Sequence, residues 1–146
     1  MTVLSRRAVL AAPFVVAGAS GAAAEEDFAG TLRAILKGRS TDEGAIALEV
    51  PPLSENGNSV DLSVRVDSPM TAEDHVTAIH IIAEKNPFPL VATFSLTPRA
   101  GRAEVATRIR LATSQKIVAL AETSQGVVHR ATRDVIVVLG ACVETG

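Results

Sequence analysis

The chain is short of the residues that carry most protein chemistry. Its 146 residues include one cysteine, no tryptophan, no tyrosine, four phenylalanines and three histidines. So few rings cannot easily build an aromatic platform for bases or sugars. Three histidines and one thiol cannot easily supply a multi-ligand metal cluster or a Ser/His/Asp triad. Aliphatic residues are plentiful: 47% of the chain is hydrophobic and the formal net charge is only −2. That length and composition suit one ordinary globular domain and are too small for most multidomain enzymes.

The first 24 residues read as an export signal rather than as part of the fold. Met1 to Arg7 is a short basic region, Ala8 to Gly21 is an Ala-rich apolar run, and Ala22-Ala23-Ala24 offers small side chains for cleavage before Glu25, Glu26 and Asp27. Arg6-Arg7 followed by Ala8-Val9-Leu10 has the paired arginines of a twin-arginine signal, a route for folded proteins, with Val9 where Phe is usual. The apolar run is shorter than the roughly 20 residues that span a bilayer. Removing the segment takes Arg6 and Arg7 from the 14 basic residues while all 16 acidic residues stay, so the remainder carries a charge near −4. Nucleic-acid binding is therefore disfavoured. The mature chain is expected free of the membrane in a bacterial periplasm, where disulfides are permitted.

After the signal, the apolar pattern has one helical stretch and then strands. Phe28, Leu32, Ile35 and Leu36 form a stripe at helical spacing, which Gly38 can end, so residues 25–43 read as a short helix and linker. The acidic residues before Phe28 suit the amide end of that helix. From Gly44 the period becomes two. Ile46, Leu48 and Val50 alternate with Ala45, Ala47 and Glu49, and Val60, Leu62, Val64 and Val66 alternate with Asp61, Ser63 and Arg65. Asn56-Gly57 between them predicts a tight hairpin turn, since both residues tolerate positive φ. Further strands are expected over 76–84, 90–96, 103–112, 116–122 and 127–139, punctuated by Pro69, Pro87, Pro89, Pro98, Gly101 and Gly126. About seven strands over residues 44–139, with no helical pattern between them, predict an all-β, immunoglobulin-like antiparallel sandwich. Ile79–Ala83 and Val135–Leu139 are apolar in both phases, which predicts cover on both faces from a central position, a partner subunit or the helix.

Reactive chemistry narrows to Cys142, four residues before the last. Gly140 and Ala141 precede it and Val143 and Glu144 follow it. A single cysteine is often a small buried hydrophobe, but in an exported protein it also suggests an intermolecular disulfide or a reactive thiol. Terminal segments fray unless docked, which favours a reachable sulfur on an arm spanning 140–146. At about 3.3 Å per residue, Cys142 can stand roughly 10 Å from the last strand. Its neighbours are apolar or negative, so the thiol should stay protonated near neutrality unless a partner supplies positive charge. Such a group suits a carrier better than a catalyst.

Several stretches together carry a family resemblance. Asp67-Ser68-Pro69-Met70-Thr71, Asp74-His75-Val76-Thr77-Ala78-Ile79-His80 and Glu84-Lys85-Asn86-Pro87 are joined by Leu53-Ser54-Glu55-Asn56-Gly57-Asn58, Val91-Ala92-Thr93-Phe94, Pro98-Arg99-Ala100-Gly101 and Thr107-Arg108-Ile109-Arg110-Leu111-Ala112. Over about residues 45 to 142 this text resembles the SoxY family of sulfur carriers of bacterial thiosulfate oxidation. The order of twin-arginine signal, helix, sandwich and late cysteine matches too. The resemblance implies a non-enzymatic carrier without its own cofactor, paired with a SoxZ-like subunit. It implies that Cys142 is conjugated to thiosulfate by a SoxXA-like c-type cytochrome complex, then processed by a SoxB-like manganese hydrolase and in some systems by a sulfane dehydrogenase. The family's arm commonly reads Gly-Gly-Cys-Gly-Gly. Ala141, Val143 and Glu144 depart from it, and β-branched Val143 with charged Glu144 stiffens and enlarges the tip.

Two other readings stay open at this point. One is an exported interaction module whose Cys142 only forms an intermolecular disulfide. The other is a periplasmic metal-binding protein using His75, His80, Met70 and His129, although His75 and His80 are five apart and would face opposite sides of a strand. Arg99, Arg102, Arg108 and Arg110 form a basic stretch, expected as a solvated face.

Overall fold

In the computed structural model, residues 23–140 are described. The chain opens with helix α1 (Ala23–Leu36), followed by β1 (Thr41–Asp42), β2 (Ile46–Glu49), β3 (Leu53–Asn56), β4 (Val60–Val66), β5 (Val76–Ala83), β6 (Leu90–Ser95), a 3-10 turn at Pro98–Ala100, β7 (Ala103–Ile109), β8 (Gln115–Thr123) and β9 (Val128–Leu139). The boundary expected after Ala24 falls in the first turn of α1, and the rest of the signal segment lies outside the described residues. No helix among the described residues is long and apolar enough to cross a membrane.

The strands form two layers. The larger sheet has the order β1-β9-β8-β5-β6, with β3 also on β9, and the smaller has β2-β4-β7. Alternation explains the core between them. On β4, Val60, Leu62, Val64 and Val66 point inward, and they meet Ile79 and Ile81 of β5, Ile117 and Ala119 of β8, and Val135 and Val137 of β9 in one buried cluster. Val, Ile, Leu and Ala fill most of the space together with Met70, and the Phe94 ring packs partly buried against them.

The outer face of the larger sheet is covered by α1. Phe28, Leu32, Ile35 and Leu36 lie on Ile82, Val118, Leu120 and Val128, which are fully buried beneath them. The four helix side chains are themselves only half-buried, so each contributes about 1 kcal/mol, below the value for full burial. Lys37 (φ 50°) and Gly38 (φ 79°) then reverse the chain into β1.

Two sequence expectations need correction. Among the described residues the sandwich has nine strands, not about seven, and it is not wholly antiparallel: β1 and β3 each add a short parallel pairing to the outer edge of β9. Thr41-Asp42 and Leu53-Ser54-Glu55-Asn56 hold only one apolar residue between them and so show no alternation. The Asn56-Gly57 pair, moreover, is not a hairpin turn between β2 and β4. Those two strands do pair antiparallel, Ile46 with Val66 through Glu49 with Ser63, but the connection between them crosses to the other sheet and lays down β3. Among the described residues positive φ occurs at Lys37, Gly38, Met70, Gly101 and Gly126, not at Asn56 or Gly57.

Gly57 is required for close approach instead. It is buried, and a Cβ there would lie far inside contact distance of the Leu111 carbonyl oxygen and 3.0 Å from that of Leu139. Its N–H donates to the Leu139 carbonyl at 2.7 Å, and its own carbonyl accepts from Leu111 N–H at 2.8 Å. The glycine thus pins the end of β9 to the start of the β7–β8 loop.

Candidate functional site

The strand registers decide at which end of the sandwich β9 stops, three residues before Cys142. β9 runs antiparallel to β8, with Val135 opposite Gln115, and β8 runs antiparallel to β5, with Ile117 opposite Ala83. The end of β9 therefore shares one pole of the sandwich with the β5–β6 loop, the β7–β8 loop and Gly57. Gly140 follows β9 directly at this pole. Ala141, Cys142, Val143 and Glu144, the remaining residues of the expected arm, lie outside the described residues.

A buried polar brace underlies the pole. Asn86 donates from Nδ2 to the Arg110 carbonyl at 2.7 Å, while its Oδ1 accepts from Ala112 N–H at 3.0 Å and from Gln115 Nε2 at 2.9 Å. Gln115 Oε1 in turn accepts from Lys85 N–H at 2.8 Å. Both amides are buried, so each unmade bond would leave a costly polar group. Ser114 completes the brace by accepting from Val137 N–H at 2.8 Å, two residues before Leu139. Short-range sequence patterns give no sign of this network, because Asn86 and Gln115 are 29 residues apart.

A second constellation sits on the outer face under α1. His80 Nε2 is 2.7 Å from Glu122 Oε1, and since a carboxylate only accepts, that nitrogen carries the proton; Nδ1 meets the Thr93 hydroxyl at 3.0 Å. The other Glu122 oxygen accepts from Arg39 at 2.7 Å, and the same guanidinium donates to the Leu36 and Ile35 carbonyls at the end of α1. Burial pushes the Glu122 carboxyl up, but the hydrogen bonds and charges of Arg39 and His80 outweigh it and hold the group below its ordinary value. This chain of contacts ties the helix end to β8 and β5. It is structural, since it lies toward the pole opposite the arm.

The residues of the metal-binding reading are not brought together. His75 precedes β5, with Nδ1 3.0 Å from the Thr71 carbonyl, whereas His80 is occupied by Glu122 and Thr93. Met70 is buried in the β4–β5 loop, and His129 lies on β9 with Nδ1 3.5 Å from Asp42. Among the described residues no group of three His, Cys, Asp or Glu could hold a metal ion. Of the basic stretch, Arg108 is paired with Asp61 at 2.9 Å on an exposed face, and Arg99, Arg102 and Arg110 are also exposed. A hollow of about 800 Å³, open to solvent, is lined in part by that same Asp61–Arg108 pair.

Comparison with known proteins places this architecture. The family model described as sulfur oxidation protein SoxY matches residues 32–142, from within α1 through to Cys142 itself. The chain belongs to the SoxY family. The sulfur carrier protein SoxY from Chlorobium limicola f thiosulfatophilum is 29% identical and superposes with a TM-score of 0.63, covering 77% of this chain and 96% of that one. Superoxide reductase (neelaredoxin) from Ignicoccus hospitalis aligns at TM-score 0.56 with 17% identity, covering 64% of this chain and 80% of that one. A superoxide reductase-like protein from Thermotoga maritima gives TM-score 0.56 and 19% identity, over 66% and 87% of the two chains. At that identity the reductases share the fold alone. Among curated proteins nothing matches the chain.

Proposed function

We propose that this member of the SoxY family is a sulfur carrier of bacterial sulfur oxidation, with Cys142 as the covalent attachment point. The supporting observation is the family match that runs through to Cys142, joined to a β9 strand that delivers Gly140 at a braced pole. Carriage needs a sulfur that stays bonded to one protein while several active sites work on it in turn, and a rigid domain with a short tether supplies that. Loading joins the Cys142 sulfur to the sulfane sulfur of thiosulfate, releasing the thiol proton and two electrons. A SoxXA-like c-type cytochrome complex takes the electrons. A SoxB-like hydrolase and a sulfane dehydrogenase then act on the adduct, so the chain itself is substrate and not enzyme. It works in the periplasm after twin-arginine export, paired with a SoxZ-like subunit.

Intact-mass measurement tests the proposal. After incubation with thiosulfate and an oxidised SoxXA-type cytochrome complex, the chain should gain the mass of one thiosulfate group, and Cys142→Ser should gain none. A wild-type chain that shows only a disulfide-linked dimer would contradict carriage and favour a simple intermolecular disulfide.

A further inference from the structure

The smaller sheet ends in an unguarded edge. β7 pairs with β4 along its whole length, from Val60 opposite Ile109 to Val66 opposite Ala103, and among the described residues no strand lies on its other side. Natural edge strands are commonly blunted by a proline, a bulge or an inward-pointing charge. β7 has none of these: its register is unbroken, and its inward residues are Ala103, Val105, Thr107 and Ile109.

Strand pairing fixes which backbone groups stay free. Asp67 N–H donates to the Ala45 carbonyl, so the odd-numbered residues of β4 turn their polar groups toward β2 and the even-numbered ones toward β7. Their partners on β7 are odd-numbered, which leaves the N–H and C=O of Glu104, Ala106 and Arg108 on the open edge. Past Arg108 that edge is closed, because Asn86 takes both the Arg110 carbonyl and the Ala112 N–H.

Side chains on the exposed face supply the complement. Arg65 of β4 donates to Glu104 at 2.8 Å, and Arg108 donates to Asp61 of β4 at 2.9 Å, with Ala106 between the two pairs. Turned antiparallel about Ala106, β7 matches itself: Glu104 faces Arg108, Ala106 faces Ala106, and every facing residue has free backbone groups. Each charged row then runs Arg65, Glu104, Arg108, Asp61 across four strands with alternating sign. Sliding the pairing by two residues in one direction sets Arg102 against Arg108. Sliding it in the other needs the Arg110 carbonyl that Asn86 already holds. In the matched register Arg102 and Arg110 meet only beyond the strand ends, in solvent, where like charges are screened.

We infer that β7 pairs with β7 of a second copy of this chain, joining the two three-stranded sheets across a two-fold axis at Ala106. Ile109 then faces Ala103, so the Pro98–Ala100 turn of each copy approaches an apolar groove of about 440 Å³ on the other, lined by Phe88, Leu90, Val91 and Ile109. The outer edge of β9 lies on the other side of the sandwich, near β2, and remains available to a companion subunit.

Sedimentation of the full chain under a thiol reductant, which removes any Cys142 disulfide, tests the pairing. Wild type should be dimeric at micromolar concentration. Arg108→Glu sets glutamate against Glu104 at both ends of the interface, and Glu104→Arg sets arginine against Arg108. Each should weaken dimerisation at least about ten-fold, yet an equimolar mixture of the two should dimerise again, because every glutamate then meets an arginine. Ala106→Pro removes only an N–H on the open edge and should give monomers with the charges unchanged. Without reductant and in a Cys142→Ser background, Ala106→Cys should link two copies by a disulfide, since residues facing in such a pair stand about 5.5 Å apart, whereas Ala47→Cys on the same exposed face should not. A wild-type chain that stays monomeric up to about 1 mM would overturn the inference. So would charge variants as dimeric as wild type, or a mixture no more dimeric than its components. Should the charge or proline variants fail to fold by circular dichroism, the cysteine pair decides: equal linkage at Ala47 and Ala106, or none at Ala106, contradicts the two-fold contact.

Discussion

The two poles of the sandwich are built differently. At the pole that launches the arm, side-chain amides of Asn86 and Gln115 are buried and satisfied by each other and by backbone, and Gly57 admits two strand ends into near contact. Toward the opposite pole the His80–Glu122–Arg39 chain is partly buried, but the loop ties are made in solvent. There the His75 N–H donates to the Ser124 hydroxyl at 3.0 Å, and that hydroxyl donates to the Glu73 carbonyl at 3.2 Å, all on exposed loop. Buried bonds are protected from competing water, whereas exposed ones are nearly isoenergetic with hydration. The loops beneath the strand that carries Gly140 are therefore held more firmly than the loops of the opposite pole. On the carrier reading proposed above, a stiff base beneath Gly140 fixes where the chain sets out toward Cys142.

Substitutions can break this contrast, and the largest effect is expected from Gly57→Ala. The added methyl collides with backbone, which cannot rotate away, so the loss should be about 3 kcal/mol or more in denaturant titration. Asn86→Ala removes bonds to Arg110, Ala112 and Gln115 together and strands buried partners. It should cost about 2–3 kcal/mol and speed amide exchange over 110–115 ahead of the rest of the domain.

Glu122→Gln should cost about 1–2 kcal/mol near neutral pH, because it removes the charge held by Arg39 and His80. The pH dependence has a definite sign. A carboxyl whose folded pKa is depressed stabilises the fold above its unfolded pKa, and that stability is lost as pH falls through the folded value. Wild type and Glu122→Gln should thus converge in stability as pH is lowered, and a gap that stayed constant with pH would exclude the ionic role. Smallest of all, Ser124→Ala at the far pole should change stability by less than about 0.5 kcal/mol by thermal unfolding. An effect as large as that of Asn86→Ala would erase the distinction between the poles.

Local periodicity made much of the fold legible. The Phe28, Leu32, Ile35, Leu36 stripe marks α1, and the alternation of Val60 to Val66 marks both β4 and its buried face, because each signal lies within one element. β1 and β3 escaped notice because Thr41-Asp42 is too short to carry a period and Leu53-Ser54-Glu55-Asn56 has a single apolar residue, and their parallel pairing depends on β9, some 80 residues further on. Asn56-Gly57 misled for a physical reason: the same dipeptide serves positive φ and close backbone approach, and only the neighbouring carbonyls of Leu111 and Leu139 tell them apart. Both-phase apolarity correctly marked a face needing cover at Ile82. At Ile136 and Val138 it marked a face left open. The brace of Asn86 and Gln115 and the His80–Glu122–Arg39 chain were invisible, since each joins residues that only tertiary register brings together.

The account depends most on the Cys142 sulfur standing outside the packed domain. A bulky maleimide added to the native chain at neutral pH measures this directly, with the same chain in denaturant as reference. The two rates should agree within a few-fold, with the Asn86–Gln115 pole still folded by amide exchange. A thiol that stays unlabelled until the domain unfolds would contradict the account.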